Sequence, residues 1–496
     1  MYWLLPAFSL FALAFGGIIV PKLNLILSLV CREYFFDRAI TDPTFIFAPV
    51  ILEGENPQCR IPEVQALTTK FTLYLMIIPG ILSAIMAPKL GALSDRYGRK
   101  TFMIISSSGL FVTEIITILV AKYPDSLHYR WLLVGAAFDG ISGSFTIGMA
   151  LTHAYAADCT SPPKRSAAFG YFHACLFNGI AFGPLVAAAL IKATGQVIIV
   201  FYVALGIHTL FIIFVALVVP ESLTKKRQLL AREKHAREGD DIVWGGYTSL
   251  WAWKKLNILR PLKVLWPTGP GSSGRLRMNL ILIASVDTII FGVAMGAMNV
   301  TVLYLNLQFG WVTADTSLFM FLVNTTRCSC LLIILPLLNY LFRTRRANKQ
   351  RRESGFAIPE KNSGTDNLDL NIVRVAILFE VLGFCGYAFT RTGTLFAVSG
   401  VITAIGGIAS PTLQSALTRH IPQEKVGQLL GATGLLHGLS RVFAPILFSL
   451  IYVATVAKFP QTVFVVLAGF FGLAFAVSWF IKPHGKPDPI PYSDES

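Results

Sequence analysis

The chain has 496 residues, of which 54% are hydrophobic and only 14% charged, whereas about a quarter of the residues of a soluble globular protein are charged. A net charge of +15 would point to nucleic acid in a soluble protein, but here the excess Lys and Arg fall in alternate loops between long apolar runs, so topology accounts for it and no nucleic-acid site is expected. There is no G-x-x-x-x-G-K-[ST] loop, which excludes ATP as the driver, and no catalytic Ser/His/Asp set or metal-spaced cluster points to an enzyme, a metal site or a cofactor.

About twelve nearly charge-free runs are long enough to cross a bilayer. In chain order they are Tyr2–Val20, Phe71–Pro88, Thr101–Ala121, Trp131–Thr152, Ala167–Ile191, Val197–Val219, Asn279–Leu305, Ser317–Phe342, Ile372–Phe389, Thr392–Leu417, Val426–Val456 and Thr462–Ile481. Runs of this length satisfy their backbone in lipid only as helices. The expected fold is therefore all-α, a multi-pass membrane protein with twelve transmembrane helices in two six-helix halves. Residues 1–219 form the first half and 279–481 the second. A linker, 220–278, joins them, and a tail, 482–496, follows. Basic loops at 89–100, 221–277 and 343–352 contrast with an acidic one at 31–69 that holds Glu33, Asp37, Asp42, Glu53, Glu55 and Glu63. The excess of Lys and Arg marks cytosolic loops, so 31–69 is expected outside or in a lumen, with both termini cytosolic. The apolar start at residue 2 lacks the basic flank and small-residue cleavage site of a removed signal peptide. Cys31 and Cys59 share the acidic loop, where an oxidising compartment would permit a disulfide; their spacing leaves a disulfide and two free thiols equally open.

Between the second and third runs stands Gly91-Ala-Leu-Ser-Asp95-Arg96-Tyr-Gly98-Arg99-Lys100. It matches the pattern G-x-L-[SA]-D-R-x-G-R-[KR] and resembles the loop between helices 2 and 3 of the major facilitator superfamily. That resemblance implies a secondary transporter with alternating access, two halves related by an axis along the membrane normal, and substrate at their interface. It also implies a gating role for the motif. Asp95 would approach the N-terminus of helix 11 near Val426-Gly427, where the helix dipole favours an anion. Arg99 would pair with Asp95 and with Asp158, the acid ending helix 4. Gly91 and Gly98 would permit the tight turn, and Arg96 and Lys100 would anchor lipid phosphates. The loop between runs 8 and 9 has no good copy of the motif.

Ionisable residues inside spans are expensive and are the main functional signal. Here they are Glu114, Asp139, Asp287, Arg327, Glu380, His437 and Arg441, with His173 as a titratable neutral. Asp139 lies mid-span beside Gly140, Ser144 and Gly148, which recur every fourth residue as a smooth stripe for helix contact. Removed from water, such an acid favours its protonated form and could bind and release a proton in each cycle. The alternative is a structural carboxylate bonded to Ser142 or to a neighbouring helix. Asp139-Gly with Tyr155-Ala-Ala-Asp-Cys-Thr-Ser-Pro-Pro-Lys-Arg-Ser resembles helix 4 and the following loop of the proton-coupled folate transporter group, over roughly the first 200 residues. It implies proton coupling without implying folate. His173 could relay protons or be a bonded core histidine. Gly179, Gly183 and Pro184 resemble part of the helix-5 signature of proton-coupled exporters, whose last two glycines are here Ala187 and Ala188; the plain alternative is a softened packing helix.

In the second half, His437 and Arg441 are four apart and share a helix face. Arg441 stays charged and needs an anion, either a substrate carboxylate or an acid such as Asp287 or Glu380. Arg327 poses the same question. In the linker, Leu229–Glu238 reads as a short amphipathic helix, and Trp244, Trp251 and Trp253 suggest contact with the membrane interface. A second linker, 343–371, is polar and charged. The expected function is proton-coupled efflux of a small organic solute by a monomer in the plasma membrane. Asp139 and His173 would carry the proton, with His437, Arg441, Asp287, Arg327 and Glu380 as substrate or counter-ion residues and no cofactor beyond the proton gradient. The alternatives are proton-coupled uptake, vacuolar transport, and a non-transporting nutrient receptor.

Overall fold

The computed structural model describes residues 2–41, 48–51, 56–237, 260–268, 272–311, 313–345, 352–353, 364–456 and 458–483. Trp244, Trp251 and Trp253, the acids Asp42, Glu53 and Glu55, most of the second linker and residues 484–496 lie outside them.

Among the described residues eleven helices are long and apolar enough to cross a membrane, and the shorter apolar helix Thr462–Ser478 supplies the twelfth crossing. In chain order they are α1 (Leu4–Thr41), α2 (Pro62–Tyr97), α3 (Arg99–Lys122), α4 (Trp131–Cys159), α5 (Arg165–Thr194), α6 (Ile198–Leu217), α7 (Gly274–Phe309), α8 (Asp315–Arg343), α9 (Asn367–Phe389), α10 (Gly393–Arg419), α11 (Val426–Thr455) and α12 (Thr462–Ser478). No strand occurs among the described residues. Large apolar side chains such as Leu210, Leu217, Leu450 and Val453 point outward, a surface suited to hydrocarbon.

Several boundaries differ from those expected. The first span does not stop at Val20: α1 continues through Pro21 and Lys22 to Thr41. Pro is tolerated inside a membrane helix because neighbouring groups re-satisfy the freed carbonyl, and Leu23–Cys31 resumes the apolar run. The loop expected at 31–69 is correspondingly shorter, since helix covers Cys31–Thr41 and resumes at Pro62. Its two ends are joined by a Cys31–Cys59 disulfide. The linker helix spans Lys225–Arg237 and begins four residues before the expected Leu229. It lies against the end of α2, where Arg232 donates to the Arg96 carbonyl at 3.0 Å and stacks over Tyr97.

Two spans are broken. In α4 the helix stops at Ile141 and restarts at Ser144, with Gly143 at φ +92°. In α10 it stops at Gly406 and restarts at Ala409. The break in α4 corrects the expected Gly140–Ser144–Gly148 stripe, because an interrupted helix loses the register that would stack those positions. Gly140 instead faces α2, where a Cβ would come 2.8 Å from the Pro79 Cα, and Gly148 faces Ser106 of α3.

Each half packs its own apolar core, one around Phe169, Phe172, Phe11 and Phe211, the other around Tyr304, Phe396, Phe464 and Phe471. The halves meet chiefly through α2 on α11, α4 on α11, and α5 on α8 and α10. The α2–α11 seam is the tightest. Cβ atoms on Gly431 and Gly438 would come 2.8 Å from the Ala87 carbonyl oxygen and 3.0 Å from the Ala84 Cα. Such close backbone approach is how membrane helices gain van der Waals contact when hydrophobic burial offers little. The seam runs from Gly80 to Asp95, about 22 Å at 1.5 Å per residue.

Candidate functional site

The 91–100 motif closes one end of this seam. Gly91 abuts Gly427 so tightly that a side chain at either position would overlap the other strand of the seam. The Asp95 carboxylate accepts the backbone N–H groups of Gly427 (2.9 Å) and Gln428 (2.7 Å), two donors that the first turn of α11 cannot satisfy internally. Arg99 is fully buried. Its guanidinium lies 2.6 Å from Asp95, donates to Asp158 at 3.0 Å and to the Ser94 hydroxyl at 2.7 Å. Gly98, at φ +103°, makes the turn between α2 and α3. Glu221, read above only as the start of the linker, accepts the N–H groups of Arg99 (2.8 Å) and Lys100 (3.1 Å) and so caps α3. Sequence gave little warning of it, since the acid sits far along the chain in a loop.

The corresponding end of the second half is also charged, with the signs exchanged. Arg343 of α8 lies 2.8 Å from Asp366 and 3.1 Å from Asp369 at the start of α9, and Arg419, at the end of α10, pairs with both acids. The first half sets acid, base and acid on α2, α3 and α4; the second sets base, acid and base on α8, α9 and α10. The missing motif copy at the 8–9 loop is thus replaced by an inverted network. Arg343 also reaches across to the Pro163 carbonyl (2.7 Å) before α5, and Arg165 to the Thr418 carbonyl (3.4 Å).

Deeper between the halves, Asp139 accepts a 2.7 Å hydrogen bond from Ser144, whose hydroxyl accepts one from Arg441 at 3.1 Å. The Ser142 hydroxyl bonds the Asp139 backbone carbonyl and not its carboxylate. Arg441 therefore reaches an acid of the opposite half through Ser144, and contacts neither Asp287 nor Glu380. Those two are taken: Asp287 lies 3.0 Å from His437 and accepts from Ser410 (2.7 Å) and Gln414 (3.3 Å), and Glu380 accepts from Arg327 at 3.3 Å. Although His437 and Arg441 are one turn apart, His437 stacks on Phe291 of α7 while Arg441 turns to α4. His173 is bonded to the Phe169 carbonyl (3.2 Å) and stacks on His153, ring centroids 5.0 Å apart. Gly179 and Gly183 of the helix-5 signature press against Ala12 and Gly17 of α1, within one half, with Pro184 one residue further on.

Four polar residues inside the helices, buried His153, His208 and Gln414 and part-exposed Lys22, lie beyond what the sequence pattern marks. Lys22 lies beyond the apolar run Tyr2–Val20 and His153 one residue beyond Trp131–Thr152, yet both lie inside helices. Lys22 stands 3.9 Å from Glu114, a carboxylate with no exposure. His208 of α6, buried within a run already recognised, meets Phe11 at a tilt, ring centroids 4.9 Å apart. Gln414 sits in α10 beside Asp287. Among the described residues no group of His, Cys, Asp and Glu has the arrangement of a metal site.

Two six-helix halves sealed at one end by a charged latch, with ionisable side chains meeting between them, define a membrane transporter of the alternating-access class. The family model of the Major Facilitator Superfamily matches residues 43–351 and 370–495, and the chain belongs to that superfamily. It is 29% identical over 490 residues to the MFS-type transporter avaJ of Aspergillus versicolor, covering 99% of this chain and 90% of that one. It is 22% identical over 433 residues to the proton-coupled folate transporter of Rattus norvegicus, covering 87% and 82%. Among solved structures, the human organic anion transporter MFSD10 superposes with a TM-score of 0.68 at 17% identity, over 96% of this chain and 97% of that one. The family is one of transporters and not of enzymes.

Proposed function

We propose that the protein couples proton movement to the export of a small organic solute from the cytosol, as a monomer in the plasma membrane with both termini cytosolic. The observation that carries the proton-coupled part is the Asp139–Ser144–Arg441 chain, which joins an acid of one half to a cation of the other. A proton on Asp139 removes the charge that Arg441 faces, and so changes the attraction between the halves; a group biased this way can drive a two-state equilibrium. His173 and His153 stand nearer the latch, where a relay would deliver or remove the proton. Export draws on the partial helix-5 signature at Gly179, Gly183 and Pro184. The likeness to a proton-coupled folate transporter supports the proton, and leaves uptake as the second reading.

The test is purified protein in vesicles under an imposed pH gradient, with cargo identified by mass-spectrometric comparison of medium and extract from cells with and without the chain. Asp139→Asn is expected to abolish proton-linked flux while leaving downhill solute exchange measurable. Solute accumulating in cells that hold the chain would overturn export. Unchanged coupling in Asp139→Asn would overturn the role of Asp139, and a chain that moves nothing in either assay would fit a receptor.

A further inference from the structure

Beside Asp139 lies a second acid with an unusual environment. Glu114 of α3 has no solvent exposure, and neither of its carboxylate oxygens has a hydrogen-bond partner. The nearest cation is Lys22 Nζ, 3.9 Å from Oε1, an ion-pair distance without a hydrogen bond. Asp139 is similar, with one oxygen bonded to Ser144 and the other unpartnered. A buried, incompletely satisfied carboxylate is costly, so an arrangement with two of them together calls for a working explanation.

Exposure sorts these charges by sign. Lys22 keeps 23% of its side chain accessible while Glu114 keeps none; Arg441 is part-exposed while Asp139 is buried. Asp139 feels the charge of both Arg441 and Lys22, and Glu114 that of Lys22, so the two part-exposed cations and the two buried acids form one cluster.

We propose that Lys22 and Arg441 form a binding pair for the carboxylate or other acidic group of an organic anion, with Glu114 and Asp139 as the internal anions that it replaces. With both acids ionised, each cation has a resident partner. With both protonated, Lys22 and Arg441 are left with no resident counter-charge, and a substrate anion supplies it. The titratable and charged groups facing this cluster are Lys22 on α1, Glu114 on α3, Asp139 on α4, His208 on α6 and Arg441 on α11. This names a substrate class and rests on the proposed function only for the link to proton movement; because the anion binds together with the protons, the two travel the same way, which is the uptake reading and not export against a proton gradient.

The test uses the purified full-length chain and three isosteric probes: 2-naphthoate, the corresponding naphthylmethylammonium and the neutral naphthylmethanol. Thermal stabilisation is measured at acidic and neutral pH. The expected result is saturable stabilisation by naphthoate alone, stronger at acidic pH. Lys22→Gln should weaken it about tenfold, in line with loss of a charge contact, and Lys22→Arg should restore most of it. If Lys22→Gln fails to fold because Glu114 is left unpaired, Lys22→Gln/Glu114→Gln removes both charges and keeps the test open. Stabilisation by the ammonium probe instead, no stabilisation by naphthoate up to millimolar concentration, or naphthoate binding unchanged in the double variant would each overturn the proposal. Loss of naphthoate binding in Lys22→Gln together with intact proton coupling in Asp139→Asn would leave the anion site standing and sink the proton assignment; the converse would do the reverse.

Discussion

At the scale of single residues, Arg99 is the hub of the first-half latch. It is buried, and its guanidinium serves Asp95, Asp158 and Ser94 from three directions. Removing one partner of a buried charge network leaves the others uncompensated, which costs about 3–5 kcal/mol. Arg99→Gln is therefore expected to lower thermal stability by that order. Arg99→Lys should fall between, since an ammonium keeps the charge but lacks the planar fork that meets several acceptors at once. Equal melting temperatures for all three proteins would show that the latch carries no stability. These latch residues were legible in sequence because the motif is dense and local. Lys22, His153 and Arg441's true partner were not. Pro21 and the apolar limits at Val20 and Thr152 looked like helix ends, so two ionisable residues fell just outside the spans drawn. For Arg441 the sequence leaves open a substrate carboxylate or an acid such as Asp287 or Glu380, because nothing in a linear pattern reports contacts between α11 and α4.

At the scale of elements, the two broken helices do corresponding jobs. The break in α4 turns Asp139 and Ser144 toward α11. The break in α10 places Ser410 and Gln414 on Asp287, and its Gly406 and Gly407 lie flat against Glu380 and Arg327, leaving room for that ion pair. Interrupted helices in corresponding positions of two repeats are a pointer to the binding region of a transporter. The helices themselves were legible, because a long apolar run permits little else in lipid; the breaks were not, since Gly-rich segments read equally well as packing stripes. The inverted charge network of α8, α9 and α10 shows the same limit. Its geometry matches the latch of the first half although the motif is absent. If it acts as a latch through charge, its sign pattern should be exchangeable. Asp369→Arg and Arg419→Asp are each expected to destabilise the protein, as like charges then share a buried site. The double variant should recover only part of the loss, because Arg343 and Asp366 then each face a like charge; the coupling expected in a double-mutant cycle is about 1–3 kcal/mol. Simple additivity of the two losses would mean that Arg419 and Asp369 are held by their surroundings and not by each other.

At the scale of the whole molecule, the structure presents one arrangement of a device that needs two. Both charged latches lie at one end of the α2–α11 seam, and the halves are held together there by Asp95 on the N–H groups of Gly427 and Gln428, Arg343 on the Pro163 carbonyl and Arg165 on the Thr418 carbonyl. If transport proceeds by alternating access, that seam must part in each cycle, and a covalent bond across it must stop the cycle. The geometry offers a place to try. A Cβ built on Gly434 of α11 would lie 3.2 Å from the Ala87 Cβ of α2, close to the separation of about 3.8 Å found in disulfides. Ala87→Cys/Gly434→Cys is therefore expected to cross-link under mild oxidation. Flux of the identified cargo into vesicles should then fall to background and return on reduction. Each single variant, and the parent chain with its Cys31–Cys59 bond given the same treatments, serve as controls for the chemistry of the reagents. Latch variants such as Arg99→Gln weaken the closed arrangement without locking it, so they should shift the balance between arrangements and leave some flux. A cross-linked double variant that transports as fast as its reduced form would mean that the halves need not separate along α2 and α11, and that solute passes by some route other than the opening of this seam.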